Sequence, residues 1–185
     1  MKRSILCLAL CAILMLGCQT KKEEKQEAVS PAEQARMDSL KAFNAAVAES
    51  LRIANEEARI QNIKNTIKII RVTTSKPNYV GGVDLSTVWQ NRSNKVIKYA
   101  YFWWTPYNAV GDPVYCTVAR ESQKGGQVTG PVKPGQTYGY GEVWSSMWYN
   151  NTIKRATLDK IRLEFMDGSE LTIEGPDIEY VFKKQ

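Results

Sequence analysis

The carboxylates Asp84, Asp112, Glu142, Asp159, Glu164, Asp167, Glu170 and Glu174 are the side chains to weigh first for acid–base work. The chain of 185 residues holds no histidine. That excludes Ser–His–Asp and Cys–His catalysis, His-ligated zinc and histidine proton shuttles. The carboxylates are scattered along the sequence. Glu164, Glu170 and Glu174 fall on the polar face of an alternating hairpin, and Asp112 and Asp167 stand beside glycine as turn formers. No Asp-x-Asp-x-Asp run offers calcium its clustered oxygens. Tyr138-Gly139-Tyr140-Gly141 is not followed by the Lys-Ser/Thr or helix start of a phosphate loop. The expectation is a protein that is not an enzyme, with no catalytic residue, metal or cofactor.

Aromatic side chains are the unusual feature. Tyr99-Ala100-Tyr101-Phe102-Trp103-Trp104-Thr105-Pro106-Tyr107 places large rings on both faces of one strand, because neighbouring residues point oppositely. Odd-numbered rings inside would leave Phe102 and Trp104 outside, and the opposite register would expose Tyr101 and Trp103. A second cluster, Tyr138, Tyr140, Trp144, Trp148 and Tyr149, lies among glycines and asparagines. Exposed Trp and Tyr bury much area at little rotamer cost, which suits protein or glycan contacts. The candidate binding residues are therefore Trp103, Trp104, Tyr107, Tyr138, Tyr140, Trp144, Trp148 and Tyr149. The competing reading is that they fill the core and its ends. Asn91-Arg92-Ser93 and Asn150-Asn151-Thr152 match the N-glycosylation pattern and read as exposed turns.

The beginning of the chain reads as an export signal. Lys2 and Arg3 precede an uncharged run of fourteen residues, Ser4 to Gly17, which is shorter than a bilayer-spanning helix needs. It ends in Leu14-Met15-Leu16-Gly17-Cys18, which resembles the bacterial lipobox, with Met15 where that pattern usually has Leu. The resemblance implies cleavage before Cys18, lipidation of Cys18 and membrane anchoring through the N-terminal lipid. Loss of Lys2 and Arg3 lowers the net charge from +6 to +4 and gives nucleic-acid binding no support. Of four cysteines, Cys7 and Cys11 would leave with the signal and Cys18 would carry lipid. Cys116 is then left without a disulfide partner and reads as a small buried strand residue. The polar stretch from Gln19 to Val29 reads as a tether. Its charged core resembles a surface-export signal of one phylum of Gram-negative gut bacteria. The implied location is the outer membrane, with the protein facing the surface or the periplasm.

Ser30-Pro31-Ala32-Glu33 is a helix start, with Ser as N-cap, Pro in the first turn and Glu three residues on. Leu40, Phe43, Val47, Leu51, Ala54 and Ala58 follow as one helical stripe. The stripe suits either a spacer helix or self-association through a coiled coil. Asp38-Ser39-Leu40 resembles an O-glycosylation site of the same phylum.

Beyond Thr66 lie all five Trp, all nine Tyr and eleven of the twelve Gly. Strand signals recur there between turn signals: Ile67 to Thr74, Val83 to Trp89, Val96 to Tyr107, Val114 to Ala119, Gln136 to Val143 and a hairpin turning at Asp167-Gly168. The pattern predicts an antiparallel β-sandwich or barrel. Asn91-Arg92-Ser93-Asn94, then Phe102-Trp103-Trp104-Thr105-Pro106-Tyr107-Asn108, Gly111 and Pro134-Gly135 resemble the FxLYD type of bacterial extracellular immunoglobulin-like domain. The Phe-x-Leu-Tyr-Asp core of that family is loosely kept. The resemblance implies an all-β, immunoglobulin-like antiparallel β-sandwich and brings no catalytic residues. The expected organisation is a lipoprotein signal peptide at 1–17, lipidated Cys and tether at 18–29, one long N-terminal helical spacer at 30–65 and the sandwich at 66–185. The expected function is a lipid-anchored cell-envelope protein displaying a non-enzymatic binding module for a protein or glycan partner. The alternative is a carbohydrate-binding accessory lipoprotein using an exposed Trp/Tyr platform.

Overall fold

The computed structural model describes residues 30–182, so the signal stretch, Cys18 and the tether lie outside the described residues. Contacts divide the chain into residues 1–46 and 47–185. Helix α1 runs from Pro31 to Thr66, 36 residues. Ser30 caps it as its sequence predicts: the Glu33 amide donates to Ser30 Oγ at 3.2 Å. The stripe residues Leu40, Phe43, Val47 and Leu51 are all exposed. The last turn is different, with Ile63 and Thr66 buried. Thr66 ends the helix rather than opening a strand, because its hydroxyl donates back to the Asn62 carbonyl at 2.7 Å. Arg59 pairs with both Glu56 and Asp177, which ties this part of α1 to the turn before the last helix.

The rest is two antiparallel sheets. Strands β1 (Ile67–Thr74), β2 (Gly82–Asn91), β3 (Ile97–Tyr107), β4 (Lys124–Val132), β5 (Thr137–Tyr138), β6 (Trp144–Tyr149), β7 (Arg155–Phe165) and β8 (Glu170–Glu174) follow in chain order. One sheet has the order β1-β2-β5, with β6 also pairing β2, and the other β4-β3-β7-β8. Their apolar faces meet in one core. Along β3 the buried residues are Ile97, Ala100, Phe102, Trp104 and Pro106, and Ile161, Leu163 and Phe165 are buried on β7 opposite Phe102, Ala100 and Ile97. Period-two alternation thus forces the even-numbered rings of β3 inward. Taken whole the described chain is not all-β, since α1 and a short closing helix, α2 (Ile178–Phe182), add helical elements to the two sheets.

Several strands differ from their sequence signals. Residues Val114 to Ala119 form no strand. Cys116 there donates its amide to the Glu121 carbonyl at 2.8 Å and accepts the Arg120 amide at 2.8 Å, a tight turn that needs Arg120 at φ 58°. The stretch from Gln136 to Val143 is strand only at β5. In turn β4 and β6 go unannounced, because Gly125-Gly126, Gly130-Pro131 and Ser145-Ser146 carry turn-forming chemistry inside them.

Asn91 corrects the reading of its motif as an exposed turn, since it is fully buried. Its Nδ2 donates to the Lys95 carbonyl at 2.8 Å and to the Val132 carbonyl at 2.9 Å. Its Oδ1 accepts the Ser93 amide at 3.0 Å and the Ser93 hydroxyl at 2.7 Å. One side chain therefore joins the end of β2 to the end of β4 across the two sheets. The predicted final hairpin is present and is held by Lys95, whose Nζ lies 2.8 Å from Asp167 Oδ2. Lys95 and the Ser169 hydroxyl and amide hold the Asp167 carboxyl below the usual carboxylate range.

The two seams of the sandwich are closed differently. Along one, α2 packs on β1 and β7 with Ile178 and Val181 buried. Along the other, β6 approaches β4, and a Cβ on Gly126 would lie 2.8 Å from the Trp144 indole and 3.0 Å from the Trp104 ring. Glycine at this point lets Trp144 wedge the second seam shut.

Candidate functional site

Two aromatic constellations are built from these strands. The first covers the outer face of the β4-β3-β7-β8 sheet. Tyr99, Tyr101, Trp103 and Tyr107 project from β3 opposite to its core residues, and all are half-buried. Tyr99 and Tyr101 have ring centroids 6.2 Å apart, and Tyr101 and Trp103 6.3 Å. The antiparallel register sets a row of cations beside them. Arg162 lies 5.2 Å from the Tyr101 ring, Lys160 5.6 Å from Trp103 and Arg155 4.4 Å from Tyr107. Each such contact contributes about 0.5–1 kcal/mol at an exposed site, enough to fix ring orientation. Glycine on β4 leaves room for the largest ring, since a Cβ on Gly125 would sit 3.0 Å from Trp103 Nε1. Acidic side chains complete the patch: Glu174 pairs with Lys160 at 2.9 Å, and Glu164 and Glu170 both pair with Arg162. Burial pushes the Tyr101 phenol up, with Glu164 adding to it and Arg162 opposing.

The second constellation lies inside, at the seam that Trp144 closes. Tyr138, Trp89, Phe102, Trp104 and Trp144 form a continuous chain of rings, with successive centroids 5.9, 5.5, 5.7 and 4.8 Å apart. Both ends of that chain, Tyr138 and Trp144, line one cavity of about 100 Å³ together with Thr87, Gln127, Val128, Gly139, Glu142 and Val143. The segment between β5 and β6 roofs it. The Ser86 hydroxyl donates to the Glu142 carbonyl at 2.9 Å, and the Gly139 backbone lies directly on β2.

The candidate residues are thus sorted by burial. Trp104 and Trp148 are 0% exposed. They belong to the core, which corrects their reading as binding residues. Trp104 faces inward by strand alternation, and Trp148 is locked by its Nε1 donating to the Ser122 carbonyl at 2.9 Å. Trp103 and Tyr107 stand on the outer face, while Tyr138 and Trp144 stand at the seam. Tyr140 is 67% exposed on the loop that roofs the seam. Tyr149 is half-buried and sits apart, beside the Cys116 loop, its amide donating to Cys116 Sγ at 3.3 Å. The sequence reasoning overlooked Thr87 and Gln127 at the seam and the outer-face cations, because only strand pairing brings them to the rings. Acrylamide quenching of single Trp→Phe variants should find Trp103 and Trp144 accessible and Trp89, Trp104 and Trp148 protected; strong quenching of Trp104 would overturn the register of β3.

The carboxylates do not converge. Asp159 accepts from Thr105 Oγ1 at 2.6 Å and Gln123 Nε2 at 3.0 Å, and Asp84 accepts the Ser146 amide at 2.7 Å. Glu142 is the one carboxylate lining the seam cavity. A polar cleft of about 420 Å³ beside the end of α1 is lined by one carboxylate, Glu170. Its Ser93 and Lys95 are engaged with Asn91, Asp167 and Ser169. Among the described residues, no group of three or more His, Cys, Asp or Glu could hold a metal, and no helix is long and apolar enough to cross a membrane. Cys116 is buried and unbridged. Burial raises its thiol, but backbone amides of Ala119, Tyr149 and Val118, with Lys124, outweigh that and leave it below its ordinary value.

The fold and its two aromatic sites therefore define a two-sheet antiparallel β protein with an N-terminal helix. No family model matches the chain, and no curated protein matches it. A crystal structure of a DUF1425 family member from Shewanella sp. pv-4 is similar over 50% of this chain and 73% of its own, at 18% identity and a TM-score of 0.33.

Proposed function

We propose that this chain is a lipid-anchored cell-envelope protein whose immunoglobulin-like module binds a protein partner without catalysing a reaction. The observation that carries the reading is the outer face of the β4-β3-β7-β8 sheet. An aromatic row flanked by Arg155, Lys160 and Arg162 and by Glu164, Glu170 and Glu174 is a mixed patch of the kind that protein interfaces use for their anchors. The cations already stand against Tyr101, Trp103 and Tyr107, which favours a protein over a sugar ring stacked on those rings. The strand order supports the immunoglobulin-like description: β1, β2 and β5/β6 match strands A, B and E, and β4, β3, β7 and β8 match C′, C, F and G. A buried Trp on the C-like strand, Trp104, suits it too. The lipobox resemblance of Leu14 to Cys18 supports the anchor and the outer-membrane location.

The test is site-specific photo-crosslinking in the native envelope, with the crosslinker at Thr129 on the outer face. The expected result is one discrete adduct, lost when Tyr101 and Trp103 are both changed to Ala in a variant that still folds. A crosslinker at Thr73, on the opposite sheet, should give none. Absence of any adduct at Thr129, or one insensitive to the double substitution, would sink the proposal.

A further inference from the structure

We infer that the loop end of the sandwich docks on a lipid surface that carries anionic headgroups. The inference is independent of the outer-face reading and of the N-terminal lipid. It starts from a turn that occurs twice. Asn78-Tyr79-Val80-Gly81 joins β1 to β2, and Asn108-Ala109-Val110-Gly111 follows β3 in the other sheet. Asn78 Oδ1 accepts the Val80 amide at 3.0 Å and the Gly82 amide at 2.8 Å. Asn108 Oδ1 accepts the Val110 amide at 3.1 Å and the Asp112 amide at 2.9 Å. Each asparagine carbonyl also accepts the amide of its glycine, at 2.9 and 3.3 Å, and both glycines have positive φ. The two valines are thus fixed at the tips, exposed to solvent. The turn between β6 and β7 holds the loops side by side. The Asn150 amide donates to the Gly81 carbonyl at 2.8 Å, Asn150 Nδ2 to the Tyr115 carbonyl at 2.9 Å and the Lys154 amide to the Tyr107 carbonyl at 2.8 Å.

The chemistry of the tips decides what they meet. Of the ten large apolar side chains exposed among the described residues beyond α1, five stand on these loops: Tyr79, Val80, Val110, Tyr115 and Val118. They include the three most exposed, Tyr79 at 99%, Val110 at 81% and Val118 at 72%. Such side chains need no partner when scattered singly, but here half of them gather at one end. Lys76, Arg120, Lys154 and Arg155 are exposed around them, against the carboxylates Asp112 and Glu121. That excess of cations complements an anionic surface. A protein anchor fills a packed pocket ringed by other contacts, whereas these tips are separate knobs on separate turns. A bilayer interface needs no matching pocket. It takes in separate apolar tips, favours Tyr at headgroup depth and draws Lys and Arg to the phosphates. Because the turns are already fixed, little order is lost on docking.

The full chain with Cys18→Ser, so that no lipid is attached, tests this. An environment-sensitive fluorescent amino acid is placed at Val110 or, as a control, at exposed Met166 in the turn at the other end of the sheets. Vesicles of equimolar phosphatidylcholine and phosphatidylglycerol should shift the Val110 emission to the blue, saturably, and leave the Met166 emission unmoved. Vesicles of phosphatidylcholine alone should bind at least about tenfold more weakly, as should Lys76→Gln with Lys154→Gln on the anionic vesicles. Tyr79→Asp with Val118→Asp should weaken binding by at least about tenfold and leave thermal unfolding unchanged, since both side chains stand in solvent. No shift at Val110, or an equal shift at Met166, would overturn the docking end, because adsorption through another part of the chain gives those results. Full binding by the Tyr79 and Val118 double variant would overturn the role of the tips. Equal binding to neutral vesicles would overturn the anionic headgroup. In the native envelope a photo-crosslinker at Val110 should join lipid, and a discrete protein adduct there would overturn the lipid surface in favour of a protein partner.

Discussion

Asn91→Asp destabilises the sandwich by about 4 kcal/mol or more at neutral pH, measured by urea unfolding of the full chain. The substitution changes one atom. Nδ2, which donates to the carbonyls of Lys95 and Val132, becomes an oxygen that faces two acceptors at 2.8 and 2.9 Å. The Lys95 carbonyl keeps the Ser93 hydroxyl at 3.1 Å, but the loss of the buried bond to the Val132 carbonyl costs about 1–3 kcal/mol, and the new charge is fully desolvated at a site with no exposure. Domains of this size have only about 5–15 kcal/mol in hand. The loss carries a pH signature. Desolvation raises the carboxyl of the folded variant above its unfolded value of about 4. The folded state then holds a proton that the unfolded state has released, so the variant loses stability as pH rises from about 4 through the raised value. Once protonated, the new carboxyl can still donate to one carbonyl, so the gap to the parent is smallest in acid. Asn91→Ala, which lacks the charge, loses about 3 kcal/mol with no such pH dependence. A gap between parent and Asn91→Asp that stays constant from acid to neutral pH would show that Asn91 is not enclosed as described.

The second large effect separates two glycines that look alike. Tyr138-Gly139-Tyr140-Gly141 is a repeat in the sequence, and both glycines have positive φ, +99° and +76°. A Cβ on Gly141 meets nothing within 4 Å, whereas one on Gly139 would lie 2.1 Å from the Thr87 carbonyl oxygen. Thr87 belongs to β2, which is paired on both sides, so that oxygen has nowhere to go. Gly141→Ala therefore costs backbone strain alone, about 1 kcal/mol. Gly139→Ala adds a backbone collision and costs about 3–4 kcal/mol, unless the β5–β6 segment lifts off β2. Lifting would break the Ser86–Glu142 bond and unroof the seam cavity, so Trp144 should become strongly quenchable in Gly139→Ala and stay partly shielded in Gly141→Ala. Equal melting temperatures for the two variants would contradict the close approach of Gly139 to β2.

Local patterns settled a good deal of the architecture. Ser30 and Glu33 start a helix because the capping chemistry lies within one turn. Ile161, Leu163 and Phe165 against Leu171 and Ile173 make a hairpin because alternation and an Asp-Gly turn act over a few residues. Ile67 to Thr74 and Val83 to Trp89 are strands for the same reason. These features depend on neighbours in sequence, and the sequence displays neighbours directly.

Where a residue's partner lies far along the chain, only the tertiary structure decided. The run Tyr99 to Tyr107 has rings on both faces, so alternation alone left two registers equal. Pairing of β3 with β7 and β4 broke the tie by putting Ala100, Phe102 and Trp104 against a second sheet. Asn91 carries a turn-like motif, yet Val132, 41 residues on, buries it. The glycines of β4 gave no strand signal, and nothing nearby in sequence shows that Trp103 and Trp144 need the space above them. Thr87 is an ordinary strand threonine until the β5–β6 segment closes over it and leaves its hydroxyl buried without a partner. Chemistry of that kind arises from the distance between segments, which packing fixes and composition does not.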